Sequence, residues 1–172
     1  GEVSGTIDEM FRHAISKLSH IHFVSNTKAR ERLLKMGEIK RNIHIIGSPD
    51  LDVMISELPK INNVKKRYDI NFDSYGILLF HPVTTEFGSN KQHIKEILEA
   101  LNELKINTVM IWPNADAGSD EISKEIRIFR EKFNPDWLHL FVNLPIEIYT
   151  QLMYQCKCMI GNSSSAIREG ET

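Results

Sequence analysis

The sequence predicts an α/β protein built on a Rossmann-like parallel sheet. Between residues 75 and 160, four short apolar segments alternate with three amphipathic segments of helical periodicity. The apolar segments are continuous rather than alternately apolar and polar, which is typical of strands that helices cover on both faces. This order of strand and helix predicts consecutive βαβ units.

The first 47 residues contain a shorter version of the same alternation. Thr6 and Glu9 have the spacing of a capping box, which predicts a helix that begins after Thr6. Strands are expected at Ile21–Val24 and Ile43–Ile46, with a second helix between them. We therefore expect residues 1–47 to be the carboxy-terminal part of a first Rossmann-like domain.

Residues 48–172 contain the more regular part of the pattern. The polar segment Pro59–Ser74 is expected to be a linker with one or two helical turns. Strands and helices are then expected to alternate at Tyr75–Phe80, Lys91–Leu104, Thr108–Trp112, Ile122–Phe133, Leu138–Val142, Ile146–Tyr154 and Lys157–Ile160. We expect residues 48–172 to be most of a second Rossmann-like domain that is incomplete.

Composition and charge argue against several function classes. The 172 residues carry a net charge of −2, which argues against a general nucleic-acid binder. No apolar segment is long enough to cross a bilayer, and the amino terminus lacks the pattern of a signal peptide. Cys156 and Cys158 are interpreted as buried, reduced thiols of a cytoplasmic protein, because a single Cys-x-Cys is weak evidence for zinc. His20 and His22 have no obvious third ligand, so no metal is expected.

Polar residues follow the predicted strands at their carboxyl ends. His81 follows the first of the four strands, Asn114 follows the second, a loop that begins at Asn143 follows the third, and Gly161–Ser165 follow the fourth. The carboxyl ends of parallel strands meet at one edge of a sheet, where open α/β sheets bind their ligands. The topology alone therefore predicts a polar ligand site at this edge.

Each candidate residue also has an interpretation without a ligand. Gly161–Ser165 lead into a predicted helix amino terminus that favours phosphate, but the same small residues suit a turn and a helix cap. His81 suits phosphate binding, proton transfer or a purely structural hydrogen bond. Asp8 and Arg12 share one helix face, which fits an acid–base site or a surface ion pair. The residues alone leave these alternatives open.

Four segments, in this order, give the sequence a resemblance to a known family. They are Gly1–Glu9, His81–Thr85, Pro113–Gly118 and Gly161–Glu169. In this combination the chain resembles the hydrolysing branch of the UDP-N-acetylglucosamine 2-epimerase family over nearly its whole length. The His-Pro sequence that starts at His81 is similar to this branch, whereas the non-hydrolysing branch usually carries His-Arg there.

The resemblance implies a fold and a reaction. The fold is like that of glycosyltransferase-B enzymes, in which a nucleotide sugar lies between two Rossmann-like domains. The reaction converts UDP-N-acetylglucosamine and water to N-acetylmannosamine and UDP, in the biosynthesis of sialic acid or a related nonulosonate. The implied route removes the C2 proton, eliminates UDP to form a glycal, and adds water with inversion at C2. It requires neither a metal nor a nicotinamide cofactor.

The resemblance also implies catalytic roles. Asp8 matches a catalytic carboxylate of the family, and His81 matches its active-site histidine near the diphosphate. Arg12 belongs to the same motif as Asp8 and is expected to contact the substrate.

Four further positions match substrate-binding residues of the family. Asn114 matches a contact to the nucleotide sugar, and Ser163 and Ser164 match serines that bind the diphosphate. Glu169 matches the acid associated with the uridine ribose. The implied partner is therefore a UDP-sugar, with neither nucleic acid nor a membrane.

Parts of the family pattern are missing from the sequence. The family's His-Ile-Glu-Gly segment would end at Gly1, so a second catalytic glutamate and most of the amino-terminal domain are absent. Gly170–Thr172 departs from the expected continuation. We therefore expect this chain alone to be inactive, and the full-length protein to be a cytoplasmic homodimer or homotetramer.

Three alternatives remain open at this stage. The first is a hydrolysing epimerase of a UDP-2,4-diacetamido-trideoxyhexose in the legionaminic acid route. The second is a nucleotide-sugar-binding module without catalysis. The third is a retaining glycosyltransferase on the same fold.

Overall fold

The chain divides into two compact units in the computed structural model. The structure describes residues 7–54, 57–82, 88–115, 118–163 and 165. Unit 1 is Gly1–Ser56 and unit 2 is Glu57–Thr172. The observed boundary between residues 56 and 57 therefore lies after the predicted domain boundary at residue 48. The assignment of the two units to domains of a larger protein stays a prediction.

Unit 1 contains a small parallel sheet. Its elements are α1 (Ile7–Leu18), β1 (His22–Val24), α2 (Thr27–Lys35), β2 (Ile43–Ile45) and α3 (Pro49–Met54). The two strands pair in parallel, with His22 opposite Ile43. The predicted strands and helices of this part are confirmed, whereas the capping role of Thr6 lies outside the described residues.

Unit 2 contains a four-stranded sheet with helices between its strands. Its elements are α4 (Ile61–Arg67), β3 (Gly76–Leu79), α5 (Asn90–Leu104), β4 (Thr108–Ile111), α6 (Ser119–Phe133), β5 (Leu138–Phe141), α7 (Ile146–Gln155) and β6 (Cys158–Gly161). The strand order is β5-β4-β3-β6, and every neighbouring pair is parallel. The predicted parallel sheet is therefore confirmed, with strand ends within two residues of the predicted ones.

The strand order of unit 2 contains a topological switch point. From β3 the chain adds β4 and then β5 on one side of β3. The last strand, β6, pairs with β3 on the opposite side. The direction of winding therefore reverses between β3 and β6. In open α/β sheets, the crevice outside the carboxyl ends of two such strands is the usual ligand site.

The core of unit 2 explains why this sheet forms. All four residues of β3 are buried, as expected for a strand covered on both faces. On α5 the buried apolar residues Ile94, Leu98 and Leu101 recur at helical spacing and form one face. They pack in a single cluster with Met110 and with residues of α6. This packed sheet holds the strand ends that carry the predicted ligand site.

The segment predicted to be a linker is instead packed onto unit 2. Val64 of α4 is 1% exposed, and Ile70 just beyond it is 2% exposed. Lys65 donates a hydrogen bond from Nζ to the carbonyl of Phe72 at 2.6 Å. The linker interpretation of Pro59–Ser74 was wrong because a few buried apolar residues anchor a segment whose average composition is polar.

Candidate functional site

An open cavity lies at the carboxyl edge of the sheet in unit 2. It has a volume of about 450 Å³ and is lined by residues from the ends of β3, β4, β5 and β6 and from the start of α7. The polar lining residues are His81, Asn114, Asn143, Tyr149, Ser163 and Ser165. Three of the predicted site residues, His81, Asn114 and Ser163, are thus brought together as the parallel topology predicted.

His81 occupies the position two residues beyond β3. Its side chain is half-buried, and its Nδ1 is buried with no hydrogen-bond partner among the described residues. Buried polar atoms in proteins nearly always have a partner, so the described residues leave one hydrogen-bonding position of this ring unfilled. The roles of His81 in phosphate binding, proton transfer or a structural hydrogen bond stay predictions.

The main chain of His81 is bound by a side chain that lies just beyond the neighbouring strand, β6. Its N–H donates to Oδ1 of Asn162 at 2.8 Å, and its carbonyl accepts from Nδ2 of the same side chain at 2.8 Å. Asn162 was not among the predicted site residues. A sequence signal existed, because it lies in the predicted Gly161–Ser165 turn, but its partner could not be known without the strand register.

The turn after β6 depends on Gly161. This residue has φ +128°, and a Cβ placed there would lie 1.8 Å from the carbonyl oxygen of Leu79. Only glycine fits so close to the neighbouring strand. Ser163 follows, and its Oγ accepts a hydrogen bond from the N–H of Ser165 at 3.3 Å. The serines therefore start the compact turn that the sequence predicted.

Tyr149 completes the cavity wall and was missed from the sequence. Its hydroxyl lies 2.6 Å from Oγ of Ser165, and both residues line the cavity. Tyr149 lies in the first turn of α7, directly after the predicted edge loop that begins at Asn143. That placement was the available signal, since a residue one helical turn beyond an edge loop remains near the edge.

Asn114 lies on the loop after β4, and this loop packs close to the loop after β3. Asn114 is exposed and lines the cavity. Further along the same loop, a Cβ at Gly118 would lie 3.0 Å from Nδ2 of the buried Asn90 and 3.3 Å from Cβ of Pro82. Close packing at Gly118 therefore holds the two loops together. Of the other predicted site residues, Ser164 and Glu169 lie outside the described residues.

Asp8 and Arg12 belong to unit 1, on α1. They are one helical turn apart, as predicted, and Arg12 is half-buried. The placement of the Asp8 side chain is outside the described part of the chain. The catalytic role of Asp8 and the substrate contact of Arg12 therefore stay predictions.

Polar contacts attach α1 to the remainder of unit 1. Nζ of Lys17 lies 2.8 Å from Oε1 of Glu38 and also donates to the carbonyl of Met36. Nε2 of His22 lies 3.2 Å from Oε2 of Glu38. The hydrogen bond from Lys17 is the main cause that lowers the pKa of the Glu38 carboxyl, and His22 adds to the effect.

Two further searches concern metals and membranes. Among the described residues, no group of three or more His, Cys, Asp and Glu side chains could hold a metal ion. Within the same part of the chain, every helix is too short or too polar to cross a bilayer. His22 is buried, and its Nε2 lies 3.2 Å from Oε2 of Glu38. The expected burial of the two cysteines is wrong for Cys158, which is exposed because it lies on β6 at the edge of the sheet, and Cys156 is only partly buried.

Comparison with known families assigns the chain. The sequence profile of the family described as UDP-N-acetylglucosamine 2-epimerase matches residues 1–172. The chain belongs to the UDP-N-acetylglucosamine 2-epimerase family. A UDP-N-acetylglucosamine 2-epimerase of Neisseria meningitidis is 45% identical over 170 residues, which cover 98% of this chain and 44% of that protein. The family is thereby confirmed, whereas its hydrolysing branch stays a prediction.

Two other relatives have names that specify a hydrolysing reaction. A UDP-N,N'-diacetylbacillosamine 2-epimerase (hydrolyzing) of Legionella pneumophila is 33% identical, over 98% of this chain and 45% of that protein. A GDP/UDP-N,N'-diacetylbacillosamine 2-epimerase (hydrolyzing) of Campylobacter jejuni is 36% identical, over 98% and 45%. The chain thus spans less than half the length of these relatives.

Solved structures share the fold of this family member. A structure of UDP-N-acetylglucosamine 2-epimerase from Neisseria meningitidis bound to UDP-GlcNAc superposes with a TM-score of 0.60 and 18% identity. It covers 90% of this chain, which spans 42% of that structure. A Staphylococcus aureus MnaA–UDP structure superposes with a TM-score of 0.60 and 16% identity, over 95% and 42%. This likeness confirms the α/β, glycosyltransferase-B-like architecture, of which the chain is a part.

Proposed function

We propose that the complete protein carrying this chain is a hydrolysing UDP-N-acetylglucosamine 2-epimerase. The observation that carries the proposal is the cavity at the switch point between β3 and β6, where His81, Asn114 and Ser163 meet. In open α/β sheets such a crevice binds nucleotides. Family membership supports a UDP-sugar as the ligand, since the family profile matches the whole chain.

Unit 2 supplies the binding site for UDP in this proposal. The turn at Gly161–Ser163 and the hydroxyl of Ser164 hold the diphosphate, because backbone N–H groups and serine hydroxyls are donors suited to phosphate oxygens. His81 lines the same cavity and completes this site with its imidazole. Asn114 contacts the nucleotide sugar, and Glu169 binds the ribose.

Unit 1 supplies part of the catalytic machinery. Asp8 transfers a proton at C2 of the sugar, and Arg12 contacts the substrate. Loss of the C2 proton and of the UDP leaving group forms a glycal, to which water adds with inversion at C2. The first step releases a proton and UDP, and the second takes up water, so neither step changes an oxidation state that would need a metal or a redox cofactor.

The finer features of this proposal rest on the sequence. The His-Pro sequence at His81 favours the hydrolysing branch, and N-acetylmannosamine is a precursor suited to sialic acid or related nonulosonate biosynthesis. We propose a cytoplasmic location and a homodimeric or homotetrameric full-length protein. This chain by itself is expected to be inactive; release of UDP by the 172-residue chain at the rate of the complete protein would contradict that expectation.

Two substitutions in the complete protein test the assigned roles. Asp8→Asn removes the proton-transferring group and is expected to lower kcat by about 10³-fold while the Kd for UDP is unchanged. His81→Ala removes a diphosphate contact and is expected to weaken UDP binding by about tenfold and to lower the rate as well. Calorimetric titration with UDP and detection of released UDP by phosphorus NMR measure the two effects.

The matched controls are substitutions of exposed residues with the same chemistry. Asp52→Asn on α3 and His44→Ala on β2 remove an exposed carboxylate and an exposed imidazole from unit 1. Both are expected to leave kcat and UDP affinity unchanged. Wild-type turnover in Asp8→Asn would rule out the role of Asp8, and unchanged UDP affinity in His81→Ala would rule out the role of His81.

A second candidate function is favoured by two relatives. The diacetylbacillosamine 2-epimerases of Legionella and Campylobacter match the chain over 98% of its length, so a UDP-2,4-diacetamido-trideoxyhexose is the alternative substrate. The products separate the candidates. Free N-acetylmannosamine from UDP-N-acetylglucosamine supports the main proposal, and a kcat/KM at least about tenfold higher for the diacetamido sugar supports the alternative. A UDP-sugar product without free UDP would contradict the hydrolysing reaction.

A further inference from the structure

The main-chain ladder between β3 and β6 ends just before the cavity. The last paired residues are Leu79 and Gly161. One more bond follows, from the N–H of Asn162 to the carbonyl of Leu79 at 3.2 Å. Gly161, with its positive φ, directly precedes this last bond, and the β3 chain continues to His81. Main-chain pairing therefore ends before the residue whose ring lines the cavity.

The side chain of Asn162 continues this pairing by one residue. Its Oδ1 accepts from the N–H of His81, and its Nδ2 donates to the carbonyl of His81, each at 2.8 Å. The side-chain amide thus presents the same donor and acceptor as a peptide group. Because the side chain of Asn162 makes both bonds, the main chain after Asn162 does not have to pair with β3 and can form the turn that contains Ser163.

We propose that Asn162 is a positioning residue that fixes the main chain of His81 relative to the turn containing Ser163. The inference rests on the proposed function only for the identity of the ligand. An asparagine suits this position because alanine makes neither bond. An aspartate accepts from the N–H of His81, but its carboxylate has no donor for the carbonyl. Asn162 itself does not line the cavity, so it acts through His81.

The first test needs no ligand. Amide hydrogen exchange of His81 is measured by NMR in the wild-type chain, in Asn162→Ala and in Asn162→Asp. Asn162→Ala is expected to speed exchange of the His81 N–H by about tenfold, because its acceptor is lost. Asn162→Asp keeps the acceptor oxygen and is expected to retain most of the protection. Unchanged exchange in Asn162→Ala would overturn the proposal.

The matched control is an asparagine at the opposite edge of the same sheet. Nδ2 of Asn107 donates to the carbonyl of Ser74 at 3.3 Å, next to the amino ends of β4 and β3. Asn107→Ala removes a comparable exposed contact far from the cavity. Exchange at His81 and affinity for UDP are both expected to stay at wild-type values in this variant, and a loss equal to that of Asn162→Ala would contradict a specific role for Asn162.

The second test separates positioning from a general loss of stability. The Kd for UDP is measured in the complete protein for Asn162→Ala, His81→Ala and the double variant. Asn162→Ala is expected to raise the Kd by about tenfold in the wild-type background and by less than about twofold in the His81→Ala background. Equal losses in both backgrounds would show that Asn162 does not act through His81 and would overturn the proposal.

Two further outcomes are covered by this design. If Asn162→Ala does not fold, Asn162→Ser takes its place in both tests, because its short hydroxyl cannot make the two bonds together. If the wild-type protein does not bind UDP, the proposed function is wrong. In that case the exchange measurement alone decides whether Asn162 holds His81.

Discussion

The two units of the chain bury their apolar residues to different extents. Unit 2 has a contiguous cluster of eleven buried residues between its sheet and helices. In unit 1 the described cluster contains three, Val24, Leu33 and Ile43. None of the described side chains of α1, from Glu9 to Leu18, is buried. Burial of apolar surface is the main source of stability, so the two units do not rest on the same forces.

This difference indicates which part of the candidate site is held rigidly by packing. The cavity residues of unit 2 follow strands that are fixed by a packed core, which is the arrangement that holds functional groups in place. On α1 the apolar residues Phe11, Ile15 and Leu18 are 61%, 62% and 83% exposed. Lys17 and Glu38 form a polar contact between this helix and the rest of unit 1. We therefore expect unit 2 to respond to packing changes and unit 1 to respond to pH.

The largest expected effect comes from crowding at the carboxyl edge of unit 2. Gly161→Ala would place a Cβ 1.8 Å from the carbonyl oxygen of Leu79, so the strands must separate. We expect the free energy of unfolding to fall by more than about 4 kcal/mol, and UDP binding to be lost with the turn. Chemical denaturation followed by tryptophan fluorescence measures the change, because Trp112 and Trp137 both lie in unit 2.

The control for this prediction is a glycine of unit 2 that also has a positive φ. Gly88 has φ +95°, and a Cβ added at this residue would meet no other atom within 4 Å. Gly88→Ala therefore has only the cost of the positive φ, which is about 1–2 kcal/mol. Equal losses for the two variants would show that conformation, and not crowding by the neighbouring strand, is what requires Gly161.

The next effect compares one type of substitution in the two units. Leu98 on α5 is fully buried, and Leu98→Ala is expected to reduce the free energy of unfolding by about 3 kcal/mol through lost burial and a new cavity. Leu18 on α1 is 83% exposed, and Leu18→Ala is expected to change the free energy of unfolding by less than about 0.5 kcal/mol. Urea unfolding of the 172-residue chain measures both. A similar loss for both variants would contradict the difference in burial between the units.

The same contrast explains how much of the fold could be predicted from the sequence. The central strands of unit 2 were found because burial on both faces produces continuous apolar segments such as Gly76–Leu79. The role of Pro59–Ser74 was not found, because its packing depends on isolated residues such as Val64 and Ile70. A pattern averaged over many polar neighbours does not show such single anchors.

The candidate site divides along a similar line. His81, Asn114 and Ser163 were predicted at one edge because each follows a strand directly, and parallel strands align their ends. Asn162 was missed because its role arises from the register of β3 and β6, which brings residues 81 positions apart into hydrogen-bond contact. Tyr149 was missed because its contact to Ser165 depends on where α7 packs.

The smallest expected effect concerns the polar attachment of α1. The Lys17 hydrogen bond lowers the pKa of Glu38 below its usual value of 4.5. A carboxyl with a lowered pKa stabilises the folded state above its unfolded pKa, and that contribution is lost as the pH falls through the folded pKa. We therefore expect the protection factors of the main-chain amides of α1, taken relative to the intrinsic exchange rate at each pH, to fall below pH 4.5, while those of the core amides of unit 2 do not share the change.

Glu38→Gln separates this contact from general acid unfolding. The variant keeps a hydrogen-bonding side chain but cannot titrate, so the protection factors of α1 should already be lower at neutral pH and should show no additional fall in acid. Glu31→Gln, an exposed carboxylate on α2, is the matched control and should keep the wild-type pH dependence. An acid response of α1 that survives in Glu38→Gln would assign the effect to other carboxylates, and α1 would then be held by forces other than the contact between Lys17 and Glu38.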